Sequence, residues 1–424
     1  MSEFTVDVYQ NEYLTDGARE VNAIATVVST HGGAVPATAR RAEVIVVDTS
    51  GSMGYPESKI SAARKAVAAA IDSLYDGVEF AVVAGSHTAE MVYPPYSDLA
   101  TASEHTRRAA KQAVKGLKPD GGTAIGSWLR KAKHLFAGRD DAIKHVILLT
   151  DGNNQHETEM QLDAALTACK GTFTCDCRGV GTDWKVAELR KVAAAMLGSV
   201  DIIPNPAQLE ADFRAMAESS MGKSVGAVTL RLWTPQGAAV RFVKQVMPDV
   251  ADLTGRRTDV GPQRGDYPLG AWGEESRDYH VCVDVQPGTV GDEMLAARVS
   301  LVAADQVLAQ GLIRAVWTDD EALSTRINPQ VAHYTGQAEL AQAIQEGLEA
   351  RRIGDEDTAT ARLGRAVQLA AQSGNTAVAE LLGKVVDIDD PATGTVRLKS
   401  RVSDADEMAL DTRSSKTVRV GKKG

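Results

Sequence analysis

The chain of 424 residues has few cysteines: Cys169, Cys175, Cys177 and Cys282 lack the paired spacing of a zinc site and are too few for a disulfide scaffold. Cys175 and Cys177 fall on one face of an expected strand and read as inert core thiols. No run of about 18 apolar residues occurs, which excludes a helical membrane span. Met1 to Asp7 holds no basic start followed by an apolar stretch, so no secretory leader is expected and the protein is expected to stay in the cytoplasm. Basic charge is in deficit, 46 Lys and Arg against 56 Asp and Glu for a formal net charge of -10, which speaks against a nucleic-acid partner. The string G-x-x-x-x-G-K-[ST] is missing, since Gly121-Gly122-Thr123-Ala124-Ile125-Gly126 has no lysine to reach a phosphate. No serine or cysteine sits in a nucleophile elbow. What is left, 44% hydrophobic and 24% charged residues, is an ordinary globular composition, and the length suggests about two to four domains.

Against this background one pattern stands out. Asp48-Thr49-Ser50-Gly51-Ser52 follows directly on the apolar run Val44-Ile45-Val46-Val47. Downstream lie Asp120-Gly121-Gly122-Thr123 and a second apolar run, Val146-Ile147-Leu148-Leu149, that closes in Thr150-Asp151-Gly152. Carboxylate and hydroxyl oxygens are what small divalent cations of the Mg²⁺ class take as ligands. Residues two apart point the same way in an extended segment, so Ser50 and Ser52 can reach one ion. Helix capping would account for Asp48 and Ser50, yet it leaves Thr123 and Asp151 without a role. Two carboxylates do not neutralise the surplus positive character of such an ion, which keeps an appetite for an external anion. His156 and Glu157 are the acid-base groups nearest the expected ion and read as rim or loop-stabilising residues; His87 reads as structural.

The D-x-S-x-S string, the later threonine and the T-D-G after a buried strand resemble the von Willebrand factor type A family and its metal-ion-dependent adhesion site. The resemblance implies hydroxyl ligation by Ser50, Ser52 and Thr123, with Asp48 and Asp151 around the ion, partly through water. It implies Mg²⁺, with Mn²⁺ or Ca²⁺ as alternatives that oxygen ligands also suit. It further implies a protein partner that offers Asp or Glu to the open coordination position. The chain looks like cytoplasmic actinobacterial members, which accompany kinases, phosphatases and phosphothreonine readers in stress or signalling assemblies.

The expected fold class is α/β. From 41 to 222 buried strands (42–47, 78–84, 146–149, 172–177, 200–203, with 89–93 an antiparallel edge) alternate with amphipathic helices, the pattern of a doubly wound, mostly parallel sheet covered on both faces. Residues 223–320 read as a β-rich domain. The strands within 1–40 cannot bury a face alone and are expected to pair with it, so that the metal-binding domain is an insertion into a β-sandwich. A helical hairpin or three-helix region is expected over 321–386. Residues 387–424 lose periodicity and read as a flexible tail, in which Thr412, Ser414, Ser415 and Thr417 are candidate phosphorylation sites for a phosphothreonine reader. The leading functional expectation is a non-enzymatic, metal-dependent interaction module without nucleic-acid or membrane partners. The alternatives are a scaffold with a purely structural ion that docks through its helices or tail, and a metal-dependent phosphohydrolase acting through His156.

Overall fold

The structure, a computed structural model, describes residues 2–31 and 40–420. The chain divides into two compact units, 34–226 and the combination of 1–33 with 227–424. The strands ahead of the insertion are β1 (Ser2–Gln10), β2 (Tyr13–Leu14) and β3 (Glu20–His31).

The inserted unit contains β4 (Arg41–Asp48), α1 (Ser58–Asp72), β5 (Glu79–Gly85), β6 (Ala89–Tyr93), β7 (Ala100–Thr101), α2 (Glu104–Val114), α3 (Ile125–Leu135), β8 (Ile143–Thr150), α4 (Glu159–Cys169), β9 (Thr174–Val180), α5 (Val186–Ala195), β10 (Val200–Ile203) and α6 (Leu209–Met221). Its sheet runs β10-β9-β8-β4-β5-β6, with β7 also on β5. All pairings are parallel except those of β6 and β7 with β5. Every residue of β4 is buried, which is why Val44 to Val47 form a continuous apolar run and not an alternating one. On α1, Ile60, Ala63, Val67 and Ala70 turn inward at helical spacing and join Phe80, Ile147 and Phe213 in one core. The chain order places β5 on one side of β4 and β8 on the other. Their carboxyl ends therefore flank a topological switch point, where open α/β sheets build ligand sites.

One polar ladder crosses this apolar sheet. Register sets Glu43 of β4 opposite His145 of β8. His145 Nδ1 lies 2.6 Å from Glu43 Oε1 and its Nε2 lies 3.0 Å from Asp176 Oδ2 on β9. Ser220 donates to the other Glu43 oxygen at 2.8 Å, and Ser199 donates to Asp176 through both N–H and O–H at 2.7 Å. Burial pulls the imidazole toward neutrality, but the two carboxylates outweigh it and push His145 up to about 10. Asp176 is held well below the usual carboxylate range: burial opposes this, and the His145 hydrogen bond and charge outweigh it.

The second unit contributes β11 (Val225–Trp233), β12 (Ala239–Met247), β13 (Ala251–Asp252), β14 (Thr258–Gly261), β15 (Arg264–Trp272), β16 (Glu275–Asp284), β17 (Glu293–Ala303) and β18 (Gln306–Trp317). They form two sheets, β1-β3-β16-β12-β13 and β14-β15-β11-β17-β18-β2. β3 pairs antiparallel with β16 from Glu20 opposite Asp284 to Ser29 opposite Glu275. The sheets face each other: Phe4 of β1 meets Trp272 of β15 edge-on at 5.8 Å, and Gly311 of β18 leaves room for Val6 and Val8 of β1.

Four helices follow, α7 (Glu321–Ser324), α8 (Pro329–Arg352), α9 (Glu356–Ser373) and α10 (Thr376–Val385). Leu340, Ile344, Leu348, Leu363, Val367 and Leu382 make their core. Beyond them the expected flexible tail over 387–424 is corrected through residue 420. β19 (Val386–Asp390) and β20 (Thr395–Leu398) form a hairpin, and α11 (Asp404–Arg413) closes the helical layer. Val386, Val396 and Leu410 each bury themselves in the same core; being isolated in polar sequence, they give no periodic signal. Thr412 and Ser414 are only 1% and 2% exposed. Ser415 accepts from Val250 N at 2.8 Å, and Thr417 donates to the Val246 carbonyl at 2.7 Å. The hydroxyls of Thr412, Ser414 and Thr417 are thus packed or hydrogen-bonded parts of the fold, Ser415 is tied in through its main-chain carbonyl, and the last four residues of the chain lie outside the described ones.

Candidate metal centre

The three loops at the switch point are sewn together by their backbones. Thr49 N donates to Gly85 O at 2.7 Å, Asp120 N to Thr49 O at 2.6 Å, and Gly51 N to Gly121 O at 2.9 Å. Gly121 adopts φ +77°, a left-handed turn conformation that glycine enters without strain. Gly122 has His156 against its Cα: a Cβ there would fall 1.8 Å from the ring.

Asp48 ends β4 and is fully buried. Its Oδ1 accepts from Ser50 N at 2.7 Å, and its Oδ2 from Thr150 Oγ1 at 2.5 Å. Burial pushes its carboxyl up to about 6; the Ser50 and Thr150 hydrogen bonds oppose the rise, and the Asp151 charge adds to it. Ser50 and Ser52 hydroxyls share a hydrogen bond at 3.0 Å, and Ser52 Oγ donates to Asp151 Oδ1 at 2.7 Å. Thr123 closes the ring from the third loop. A methyl carbon built on Gly152 would lie 3.3 Å from both Ser52 Oγ and Thr123 Oγ1 and 3.9 Å from Ser50 Oγ, so three hydroxyl oxygens from two loops converge on one point that only a glycine leaves clear. Asp48, Ser50, Thr123 and Asp151 are buried there, while Ser52 is exposed at the opening.

Two members of this constellation have no role of their own in the sequence pattern. Thr150, there only the first letter of the T-D-G string, supplies the hydroxyl on Asp48. Lys59 stands on the inward face of α1 and sets its ammonium 2.8 Å from Asp151 Oδ2 and 3.3 Å from Asp183 Oδ2. Burial works against that charge, but Asp151 and then Asp183 hold it, and the net shift is upward. A lysine beside Ile60 in an amphipathic helix ordinarily reads as a solvated side chain, and only the depth of Asp151 draws it in. Asn153 Oδ1 is buried without a hydrogen-bond partner among the described residues.

The rim candidates have defined roles. His156 brackets Thr123: its N–H donates to Thr123 O at 2.9 Å, and its Nδ1 accepts from Thr123 N at 3.3 Å. Glu157 accepts from Gly126 N at the start of α3 and from Asn154 Nδ2 at 2.8 Å, a carboxylate placed where a helix N-terminus favours negative charge. His87 lies across the loop from His156, ring centres 6.2 Å apart.

Among the described residues no group of three His, Cys, Asp or Glu side chains is placed to hold a metal. The donor set here is of a different kind, two carboxylates and three hydroxyls, which suits a hard cation that keeps some of its water. The convergence of hydroxyls beside a buried carboxylate suits such a cation, whereas the Lys59 ammonium, 2.8 Å from Asp151 Oδ2, competes with it for the second carboxylate.

The profile of the von Willebrand factor type A domain matches residues 43–202, and that of the von Willebrand factor type A C-terminal domain matches residues 368–414. A solved von Willebrand factor type A protein from Catenulispora acidiphila is 53% identical, with 99% of this chain and 97% of that one covered and a TM-score of 0.95. The ArnB paralog VWA2 from Sulfolobus acidocaldarius is 16% identical over 97% of this chain and 98% of its own, at a TM-score of 0.64, and shares the fold. An uncharacterized protein of Synechocystis is 31% identical over 217 residues, 50% of this chain and 49% of that one; the chain spans about half the length of this curated relative. With a near-complete match at 53% identity and the profile match over the loops described above, the chain belongs to the von Willebrand factor type A family.

Proposed function

We propose that the protein is a divalent-metal-dependent interaction module that binds an acidic side chain of a protein partner. The convergence of Ser50, Ser52 and Thr123 hydroxyls on one point beside Gly152 carries this reading. In it, Ser50, Ser52 and Thr123 hold the cation, Asp48 and Asp151 supply negative charge, Thr150 orients Asp48, and His156 fixes the backbone of Thr123. A divalent ion bound there supplies an electrophilic position that a carboxylate can complete. Ser52 forms the opening, and beside it Tyr55, whose N–H donates to Ser52 O at 3.1 Å, is 86% exposed, a placement typical of aromatic anchors in protein interfaces. One exposed charge pair contributes only about 0–1 kcal/mol, so the surface around the opening has to supply complementarity. The reading is non-enzymatic: His156 Nδ1 is engaged with Thr123 N and is not a free base. The setting that accompanies it is a cytoplasmic bacterial stress or signalling assembly, supported by the family resemblance.

Titration with Mn²⁺ by calorimetry, followed by capture of partners from the native cell with and without chelator, tests the proposal. Expected are saturable Mn²⁺ binding, a captured protein that EDTA releases, and loss of both with Asp48→Ala in a folded protein. Absence of Mn²⁺ binding, or capture indifferent to EDTA and to Asp48→Ala, overturns it.

A further inference from the structure

On another face of the same unit, α1 and α2 line an open groove of about 700 Å³. Arg64, Lys65 and Ala68 of α1 recur at helical spacing on its outer side, and His105, Arg108, Ala109 and Gln112 do the same on α2. Alanines at 68 and 109, with Val114 at the end of α2, give the groove an apolar floor. Larger side chains at those two positions would fill it. The rim is cationic: Arg64, Lys65, Arg108, Lys111 and Lys115 line it, and among the described residues no carboxylate does. In a chain of net charge -10, this is a local inversion of sign.

The charges are incompletely matched. Arg108 pairs with Glu104 at 2.5 Å and Lys111 with Asp72 at 2.6 Å, both in solvent-exposed geometry that holds weakly. Arg64 donates through Nη2 to the Leu117 carbonyl and keeps its Nε buried without a hydrogen-bond partner among the described residues. Lys65 and Lys115 have no ion-pair partner among the described residues and are exposed. A solvated basic face would show neither the concave apolar floor nor the orphaned buried donor.

We infer that this groove binds an acidic amphipathic helix of a partner protein, with small apolar side chains on Ala68 and Ala109 and Asp or Glu reaching the rim. The cations are single charges spread along the groove, about 10 Å from Arg108 to Lys115 at 1.5 Å per residue, which suits a row of carboxylates. A net charge of -10 disfavours a nucleic acid, and charges strung along two helices, not gathered at one point, disfavour a compact phosphate. A helix laid in an apolar groove is a recurrent recognition mode. The inference is independent of the metal centre.

The test uses the full chain in EDTA, so that the metal centre contributes nothing, and two fluorescein-labelled helical peptides of Leu and Ala, one with Glu on its polar face and its twin with Lys. Anisotropy is expected to show saturable binding of the Glu peptide, weakened at least tenfold by K65E/K115E and by raised salt, unchanged by Asp48→Ala, and weakened by Ala109→Trp, which fills the floor. K65Q/K115Q, read together with thermal melting, separates loss of the groove from loss of fold. Equal binding of both peptides, or indifference to K65E/K115E in a folded protein, overturns the inference. So does stronger charge-dependent competition from inorganic phosphate, phosphatidylglycerol vesicles or single-stranded DNA, or self-association of the chain that K65E/K115E abolishes; each assigns the groove to a different occupant.

Discussion

The ammonium of Lys59 lies 2.8 Å from Asp151 Oδ2, in a pair whose side chains are 10% and 0% exposed. A cation of the protein's own thus neutralises a carboxylate at the centre. Lys59→Met keeps the stem and removes the charge, leaving Asp151 buried without its counter-ion. In EDTA the variant is expected to lose about 3–5 kcal/mol of stability by denaturant melting. The same change removes a positive charge that repels a divalent ion, so the Mn²⁺ dissociation constant is expected to fall about tenfold by calorimetry, about 1.4 kcal/mol. An unchanged or weaker affinity would show that Lys59 does not face the ion.

Asp48 bears on the same balance from the other side. Its carboxyl, pushed up to about 6 by burial, is charged at pH 7 at a cost of roughly 2–3 kcal/mol when no cation is present. Because its folded value lies above the unfolded one, this penalty is absent below the ordinary carboxylate value of about 3.9, grows as pH rises from there to about 6, and is constant above it. Asp48→Asn in EDTA is therefore expected to melt higher than the parent chain at pH 7. The gain in melting temperature that Mn²⁺ gives the parent is expected to vanish. A variant that still responds to Mn²⁺ would remove Asp48 from the ion's surroundings.

The Glu43–His145–Asp176 ladder makes stability fall at high pH. His145 is raised to about 10 in the folded chain from an ordinary value of about 6.5. Its contribution is complete below the unfolded value and is lost as pH rises through about 10. Asp176, shifted down, contributes above the ordinary carboxylate value of about 3.9 and loses that contribution under acid. His145→Gln is expected to cost about 3–5 kcal/mol at neutral pH and to flatten the alkaline limb of a melting-temperature profile. An unaltered limb would place the alkaline titration elsewhere.

The end of the chain gives a test of packing. Ser414 is 2% exposed and donates to Asp411 O at 2.8 Å, so Ser414→Glu buries a charge without a partner. A loss on the order of 2–4 kcal/mol by urea melting is expected. The folded chain should also label poorly with a kinase at Thr412 and Ser414. Efficient labelling without unfolding would mean that this segment opens.

The inserted α/β domain and its candidate centre are legible in the chain because their signals are local. A four-residue apolar run ending in Asp48 marks a buried parallel strand, and the two-residue spacing of Ser50 and Ser52 survives into the geometry as a 3.0 Å hydroxyl contact. Less legible are features that depend on partners distant in sequence. Glu43, His145 and Asp176 belong to adjacent strands, and nothing near His145 in the chain announces either carboxylate. Thr150 and Lys59 are drawn to Asp48 and Asp151 by burial alone. The final segment folds through single apolar residues such as Leu410, each too solitary to mark a helix, and through main-chain bonds to residues some 165 positions earlier, as from Val250 N to Ser415 O.

The long-range pairing of β3 with β16 has a consequence for synthesis. When the ribosome has delivered β3, the strand that will lie beside it in the sheet has yet to be made, and the whole α/β domain emerges in between. That domain carries its own core and can fold during the wait, as units of multidomain chains generally do. The N-terminal hairpin must stay unaggregated until β16 arrives, which makes sandwich closure, with its high contact order, the slow and chaperone-sensitive stage of biogenesis.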